Sequence, residues 1–340
     1  MLNKIYRLVH PRTFEIHYEN IDIKKEVLVR PTHFSICHAD QRYYQGKRNP
    51  TVLKDKLPMA LIHESIGIVI KDNTGTFKKN DKVVMIPNTP VRNDDLIAEN
   101  YLRDSKFRSS GYDGFMQEIV QIKPDRLIKL PDDIDLNVLA FTELISVATH
   151  AIRRFIKYSH ERRDIIGIWG DGNLSYILSL LLSKKLPNSK IYVFGKHEDK
   201  LNLFSFVNKT FLINEIPENL NIDHAFESTG GLGCESAINQ IIDYINPQGS
   251  ISLLGVSENK VPINTRLILE KGIVLFGSSR SGLEDFIETI QYLEKDKNTV
   301  EYLNNLVTNV VDIKSLNDID TAFDVDKNSF MGKTILHWDN

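Results

Sequence analysis

Apolar and polar positions divide the chain into two textures. From Glu26 to about Val120 short apolar runs, EVLVRPTHFSIC, ESIGIVI, DKVVMIP and MQEIVQI, are separated by turn-forming residues, a pattern that predicts a β-rich unit. Near Pro131 the period changes. DIDLNVLAFTELISVATHAIRRF carries apolar residues at helical spacing and ends in two arginines, so a helix is expected to lead out of that unit. From Asp164 apolar strands alternate with helical stretches: IIGIW, a leucine-rich helix, KIYVFG, a helix, TFLIN, DHAFES, a helix through SAINQIIDYI, SISLLGV and IVLFGSS. That rhythm predicts an α/β fold with a doubly wound parallel sheet. Between Ser278 and Asn340 two helical segments are expected, and then a strand, KTILHW, that returns to the first unit.

Composition narrows the class. A length of 340 residues suits two domains better than one. With 41% hydrophobic and 26% charged residues the chain has the balance of an ordinary globular protein. The formal charge of -3, with both signs interspersed, lacks the basic footprint of a nucleic-acid binder. The start MLNKIYRLVHPRTF has no signal-like apolar core, and no stretch is long and apolar enough to cross a bilayer, so a cytoplasmic location is expected. Cys37 and Cys234 are the only cysteines, too few for a disulfide framework but enough for a metal ligand.

IIGIW runs directly into Gly170-Asp171-Gly172-Asn173-Leu174-Ser175. This is close to the G-x-G-x-x-G turn, which holds a pyrophosphate on backbone amides and a helix N-terminus, with Ser175 in the third glycine's place. Alone, such a turn is also what a tight strand-to-helix connection looks like; its place in a βαβ context makes it a dinucleotide loop. At the end of the next strand, where an acid would bind the adenosine ribose of NAD, stands Gly195, followed by Lys196, His197 and Lys200. Loss of the carboxylate and nearby positive charge favour NADP(H).

Cys37 is followed by Asp40, then by His63-Glu64, with Gly67 expected to close a turn, and later by Glu143. A thiolate, an imidazole and carboxylates suit a catalytic zinc with an exchangeable position, although each residue taken singly has an ordinary structural explanation. The ordered set C-x-x-D with Tyr43-Tyr44, H-E-x-x-G, E-x-x-S-V-x-x-H-x-x-R-R and G-x-G-x-x-S resembles the polyol-dehydrogenase branch of the zinc-dependent medium-chain alcohol dehydrogenases, over nearly the whole chain. The resemblance implies a GroES-like β-rich catalytic domain over residues 1–145, completed by 278–340, and a Rossmann domain over 146–277. It implies that Cys37, His63, Glu64 and Glu143 are zinc ligands, and that Asp40 orients the ligand histidine. Three departures stand out. The region from Asn88 to Gly111 contains no cysteine, so the four-cysteine structural zinc lobe is absent and one zinc per chain is expected. Ile62 replaces the usual glycine before His63. Ala39 replaces the usual proton-relaying Ser or Thr, leaving water, Glu64 or Tyr43 to complete a relay. One thiolate, two carboxylates and a neutral imidazole around Zn²⁺ sum to a net charge near -1, which implies a weak Lewis acid until Glu64 withdraws.

The segments PTHFSICHADQRYYQG, KLPMALIHE, KVVMIPNTPV, FRSSGYDGFMQ, GIWGDGNL, IYVFGK and LLGVSENKVPINTRLILEKG are similar to those of bacterial ribulose-5-phosphate reductases, also called ribitol-5-phosphate dehydrogenases. That likeness implies NADPH-dependent reduction of D-ribulose 5-phosphate to D-ribitol 5-phosphate. It also implies a cytidylyltransferase partner that makes CDP-ribitol for teichoic acid or capsule synthesis, and a homodimeric assembly. A sugar phosphate requires a cationic partner. Arg280, at the end of the last cofactor-domain strand, ranks first, Arg108 second, and Arg42 and Arg154 are further candidates. An NAD-dependent sorbitol-type dehydrogenase is disfavoured by Gly195 and Ala39, and a zinc-free noncatalytic relative by the joint presence of Cys37, His63 and Glu143.

Overall fold

The computed structural model describes residues 1–338, so the last two residues of the expected 278–340 segment lie outside it. The chain forms two compact units, one comprising Met1–Ser146 and the segment from Ser281 onward, the other Val147–Arg280.

The second unit is the expected α/β layer structure. Its six strands lie in the order Lys209–Leu212, Lys190–Gly195, Ile165–Trp169, Ile222–Glu227, Ile245–Leu253 and Val274–Gly277, with every neighbouring pair parallel. The sheet is built outward in one direction for its first three strands and in the other for the rest. The order therefore reverses between Ile165–Trp169 and Ile222–Glu227, where a doubly wound sheet opens its ligand crevice. Ile166, Ile168, Val193, Phe194 and Phe226 are buried, as strands covered on both faces require.

The first unit is β-rich. Its larger sheet runs Leu127–Lys129, Lys82–Met85, Glu64–Asp72, Val27–Ser35, Lys333–His337 and Val307–Asp312, with Val120–Ile122 also paired to Val27–Ser35. The returning strand is as expected: Ile335 pairs with Ser35 and His337 with His33, antiparallel. A hairpin of Leu2–His10 and Thr13–Asn20 and the short helices His38–Tyr44 and Pro50–Lys56 were not foreseen. Among the described residues the tail holds three helices, not two. Leu283–Lys295 and Lys297–Asn304 read as one run because Asp296 ends the first and caps the second, accepting from Thr299 N at 3.1 Å. Gly67 closes no turn. It lies inside Glu64–Asp72 opposite Pro31, where the register shifts, and a Cβ there would collide with the Arg30 carbonyl oxygen. No helix among the described residues is long and apolar enough to cross a membrane.

Candidate active site

The central strand Val27–Ser35 delivers the chain to Cys37, the N-cap of the helix His38–Tyr44. Asp40, one turn into that helix, is fully buried and fully engaged. It accepts from Cys37 N at 3.2 Å, Ile62 N at 3.0 Å and Ser109 Oγ at 2.7 Å, and a carboxylate oxygen lies 3.6 Å from His63 Nδ1. Burial raises the proton affinity of Asp40, but His63 and these donors outweigh it and hold the carboxyl below its ordinary range. Asp40 is thus spent on orientation. Ile62 takes φ +70°, a left-handed conformation rare for a β-branched residue, and in it Ile62 N reaches Asp40.

His63, Glu64 and Glu143 are all buried, and each offers a ligand atom within 4.8 Å of the others; Cys37, Asp40 and His63 form a second such group. His63 belongs to both, so the four expected ligands converge around it. Burial pushes the Glu143 carboxyl up to about 7, with His63 opposing and Glu64 adding to the rise. Burial also raises the Cys37 thiol, while His63 lowers it. For His63 burial disfavours charge, yet Asp40 and Cys37 prevail and hold the imidazole well above its usual range. A thiol, an imidazole and two carboxyls gathered about one histidine are the donor types that a divalent cation takes. The residues fit a zinc ion.

One partner had no signal in the sequence. Lys333, in the returning strand, is buried with its Nζ 3.0 Å and 2.9 Å from the two oxygens of Glu64, and it also donates to Ile36 O at 2.7 Å. The charge count made from the ligands alone therefore omits a neighbouring cation, and the cluster with Lys333 is near neutral when a zinc ion is added. Lys333 also holds Glu64 by an interaction that competes with metal ligation.

In the second unit Gly170 adopts φ +136°, and a Cβ on it would lie 2.6 Å from Ser175 Oγ and 2.8 Å from Ser228 Oγ. Those two hydroxyls bond each other at 2.8 Å. Serine in the third glycine's place is thus accommodated by the bareness of Gly170. Gly172 caps the helix Asn173–Lys185 without a side-chain acceptor, so the start of the helix, with Asn173 and Leu174, directs its positive end at the loop. A cavity of about 280 Å³ beside this turn is lined by Trp169, Asp171, Gly195, Lys196 and His197, among others, and Lys200 follows on the next turn without lining it.

The arginines separate by their partners. Arg108 donates to the carbonyl oxygens of Asp113 and Gln121, both at 3.2 Å, and lies over the rings of Tyr112 and Phe115, so its guanidinium braces its own loop. Arg154 donates to Gly277 O at 2.9 Å. Arg42, half-buried on the metal-loop helix, reaches Lys47 O at 3.5 Å. Arg280 is half-buried at φ +59°, an enforced conformation for a non-glycine residue.

Residues 23–132 match the family model of the alcohol dehydrogenase GroES-like domain. Ribulose-5-phosphate reductase 1 of Staphylococcus aureus (strain NCTC 8325 / PS 47) is 55% identical over 339 residues, 99% of each chain. The ribulose-5-phosphate reductase of Bacillus spizizenii is 54% identical over 340 residues and the full length of both. Among solved structures, that of S. aureus TarJ in complex with NADPH aligns with a TM-score of 0.90 and 50% identity, covering 100% of both chains.

Proposed function

This chain belongs to the ribulose-5-phosphate reductases of the zinc-dependent medium-chain alcohol dehydrogenases, and on that premise we propose that it reduces D-ribulose 5-phosphate to D-ribitol 5-phosphate with NADPH. The geometric observation that carries the reading is the meeting at His63 of half-buried Cys37 on one side and buried Glu64 and Glu143 on the other, a donor set suited to one catalytic zinc. When bound, zinc supplies Lewis-acid polarisation of the substrate ketone, and NADPH supplies the hydride. The protein's part is positioning. Cys37, His63 and Glu143 hold the metal, Asp40 fixes the ring of His63, and Glu64 is shared with Lys333, so that its grip on the metal is adjustable. Gly170, Gly172, Asn173 and Leu174 cradle the pyrophosphate, while Gly195, Lys196 and Lys200 accommodate the 2′-phosphate.

Substrate phosphate falls to Arg280, with Arg42 next. Arg108, whose guanidinium braces two carbonyls of its own loop, is a further candidate. The product, a primary phosphate on a polyol, is the substrate class of a nucleotidylyltransferase; activation to CDP-ribitol for teichoic acid or capsule polymer by a cytidylyltransferase in the cytoplasm is the consistent next step. A homodimer is supported by the edge strand Val274–Gly277, whose outer side pairs with no other strand among the described residues, and by Leu269, 80% exposed. Initial rates with ribulose 5-phosphate and with ribulose, each with NADPH and NADH, test the core of the proposal. The phosphorylated ketose with NADPH is expected to have the highest kcat/KM, and Arg280→Ala to raise KM for it while leaving ribulose nearly untouched. A wild-type preference for ribulose or for NADH overturns it.

A further inference from the structure

The carboxylate missing from the end of the second Rossmann strand has a counterpart one turn away. Asp171, between the two glycines of the phosphate loop, directs Oδ2 to the strand end, where it accepts from Lys196 N at 2.8 Å and His197 N at 3.0 Å and lies 2.9 Å from His197 Nδ1. A Cβ on Gly195 would fall 2.8 Å from Asp171 Cβ and 2.9 Å from Oδ2. Gly195 is therefore bare because Asp171 fills its side-chain space, which also makes Gly195→Asp a steric clash and not a clean test of nucleotide choice.

An acid near the adenosine ribose ordinarily favours NAD, since a free carboxylate accepts from the 2′-hydroxyl and repels a 2′-phosphate. Here the oxygen facing the turn is occupied by two amide donors and an imidazole. The carboxyl is held below its ordinary range, burial being outweighed by His197 and the amides. The same contacts fix the backbone of Lys196 and the ring of His197 at the rim of the cavity. Across it, Lys196 Nζ lies 3.8 Å from the Cβ position of Gly233, the N-cap of the helix Cys234–Tyr244, which has no side-chain cap. A lysine and a helix N-terminus, both electropositive, thus face one space beside the ring of His197.

We propose that Asp171 is a positioning residue for nucleotide selection, its carboxylate withdrawn into the wall of the pocket where it orders the Lys196-His197 turn to receive the 2′-phosphate. This rests on the reading of the chain as an NADPH enzyme. It assigns the preference to an ordered turn as well as to an absent acid.

Calorimetry with 2′,5′-ADP and with 5′-AMP, which differ only in the 2′-phosphate, tests this without turnover. In the zinc-loaded protein, Asp171→Asn is expected to weaken 2′,5′-ADP about tenfold, equivalent to about 1.4 kcal/mol, and 5′-AMP less than about twofold. In kinetics the loss is expected in KM for NADPH more than in kcat. His197→Ala, on the exposed side of the turn, is expected to act in the same direction and covers the case in which the Asp171 variant does not fold. Equal weakening of both nucleotides makes Asp171 a merely structural residue, and a larger loss for 5′-AMP makes it a ribose acceptor; either result overturns the inference. The underlying NADPH reading fails separately, if the unmutated protein binds 5′-AMP as tightly as 2′,5′-ADP.

Discussion

Ile62 joins a backbone cost to a functional contact. At φ +70° an L-residue gives up about 1–2 kcal/mol, and a β-branched one is worse placed still, yet this conformation carries the Ile62 amide to Asp40 and sets His63 beside it. The side chain is fully buried, so its removal costs about 2–5 kcal/mol, more than the strain it imposes. Both Ile62→Gly and Ile62→Ala are therefore expected to lower stability. Glycine, relieved of the left-handed penalty, should be the milder by about 1 kcal/mol, the reverse of the usual order at ordinary backbone angles. Urea unfolding of the three proteins checks the ranking, and an alanine variant more stable than the glycine one contradicts the strain argument. Cys37, His63 and Glu143 were legible in the sequence because each sits in a motif of fixed spacing. Lys333 was not, since a lysine opening a strand reads as solvated and its partner Glu64 is 269 residues away. Asp171 was passed over as a variable position between two glycines, its target lying 25 and 26 residues further on.

Regular elements were legible wherever their period was sustained. The six parallel strands of the cofactor unit and the returning strand Lys333–His337 follow from apolar runs, whereas Pro50–Lys56 has no buried residue and so no apolar face to read. The region 88–111 shows what holds an element that has lost its metal ligands. It keeps a two-stranded ladder, Asn88–Thr89 with Lys106–Phe107, and is pinned at Glu99. One oxygen of Glu99 accepts from Arg126 Nη1 at 2.8 Å and from Leu283 N at 2.9 Å, and the buried Arg126 also reaches Asn88 O at 3.3 Å. Glu99→Ala removes the acceptor that a buried guanidinium and an amide share, and a loss of about 1.5–3 kcal/mol is expected from hydrogen bonds to charged groups. Hydrogen exchange should quicken within 88–111, with and without chelator alike. Protection that depends on chelator would mean that a metal still organises this lobe.

At the scale of the molecule, metal content and fold are expected to separate by unit. The ligand cluster is confined to the first unit, so elemental analysis should give about one zinc per chain, and Cys37→Ser should remove metal and activity while leaving a folded protein. Chelation should lower the unfolding temperature of the first unit, whose buried carboxyls lose their counter-ion, and leave that of the second nearly unchanged when exchange is followed unit by unit. Two zincs per chain, or full activity without any, would sink the catalytic assignment. The first unit is also interrupted, its sheet beginning before Val147 and finishing after Arg280. On the ribosome, Val27–Ser35 must wait for Lys333–His337, and Cys37 and Glu64 wait for Lys333, until the whole cofactor unit has been made. The nucleotide-binding unit can therefore close first, and the metal site is completed only after Lys333 has been made. Nascent chains halted just beyond Arg280 are then expected to bind nucleotide and not yet zinc.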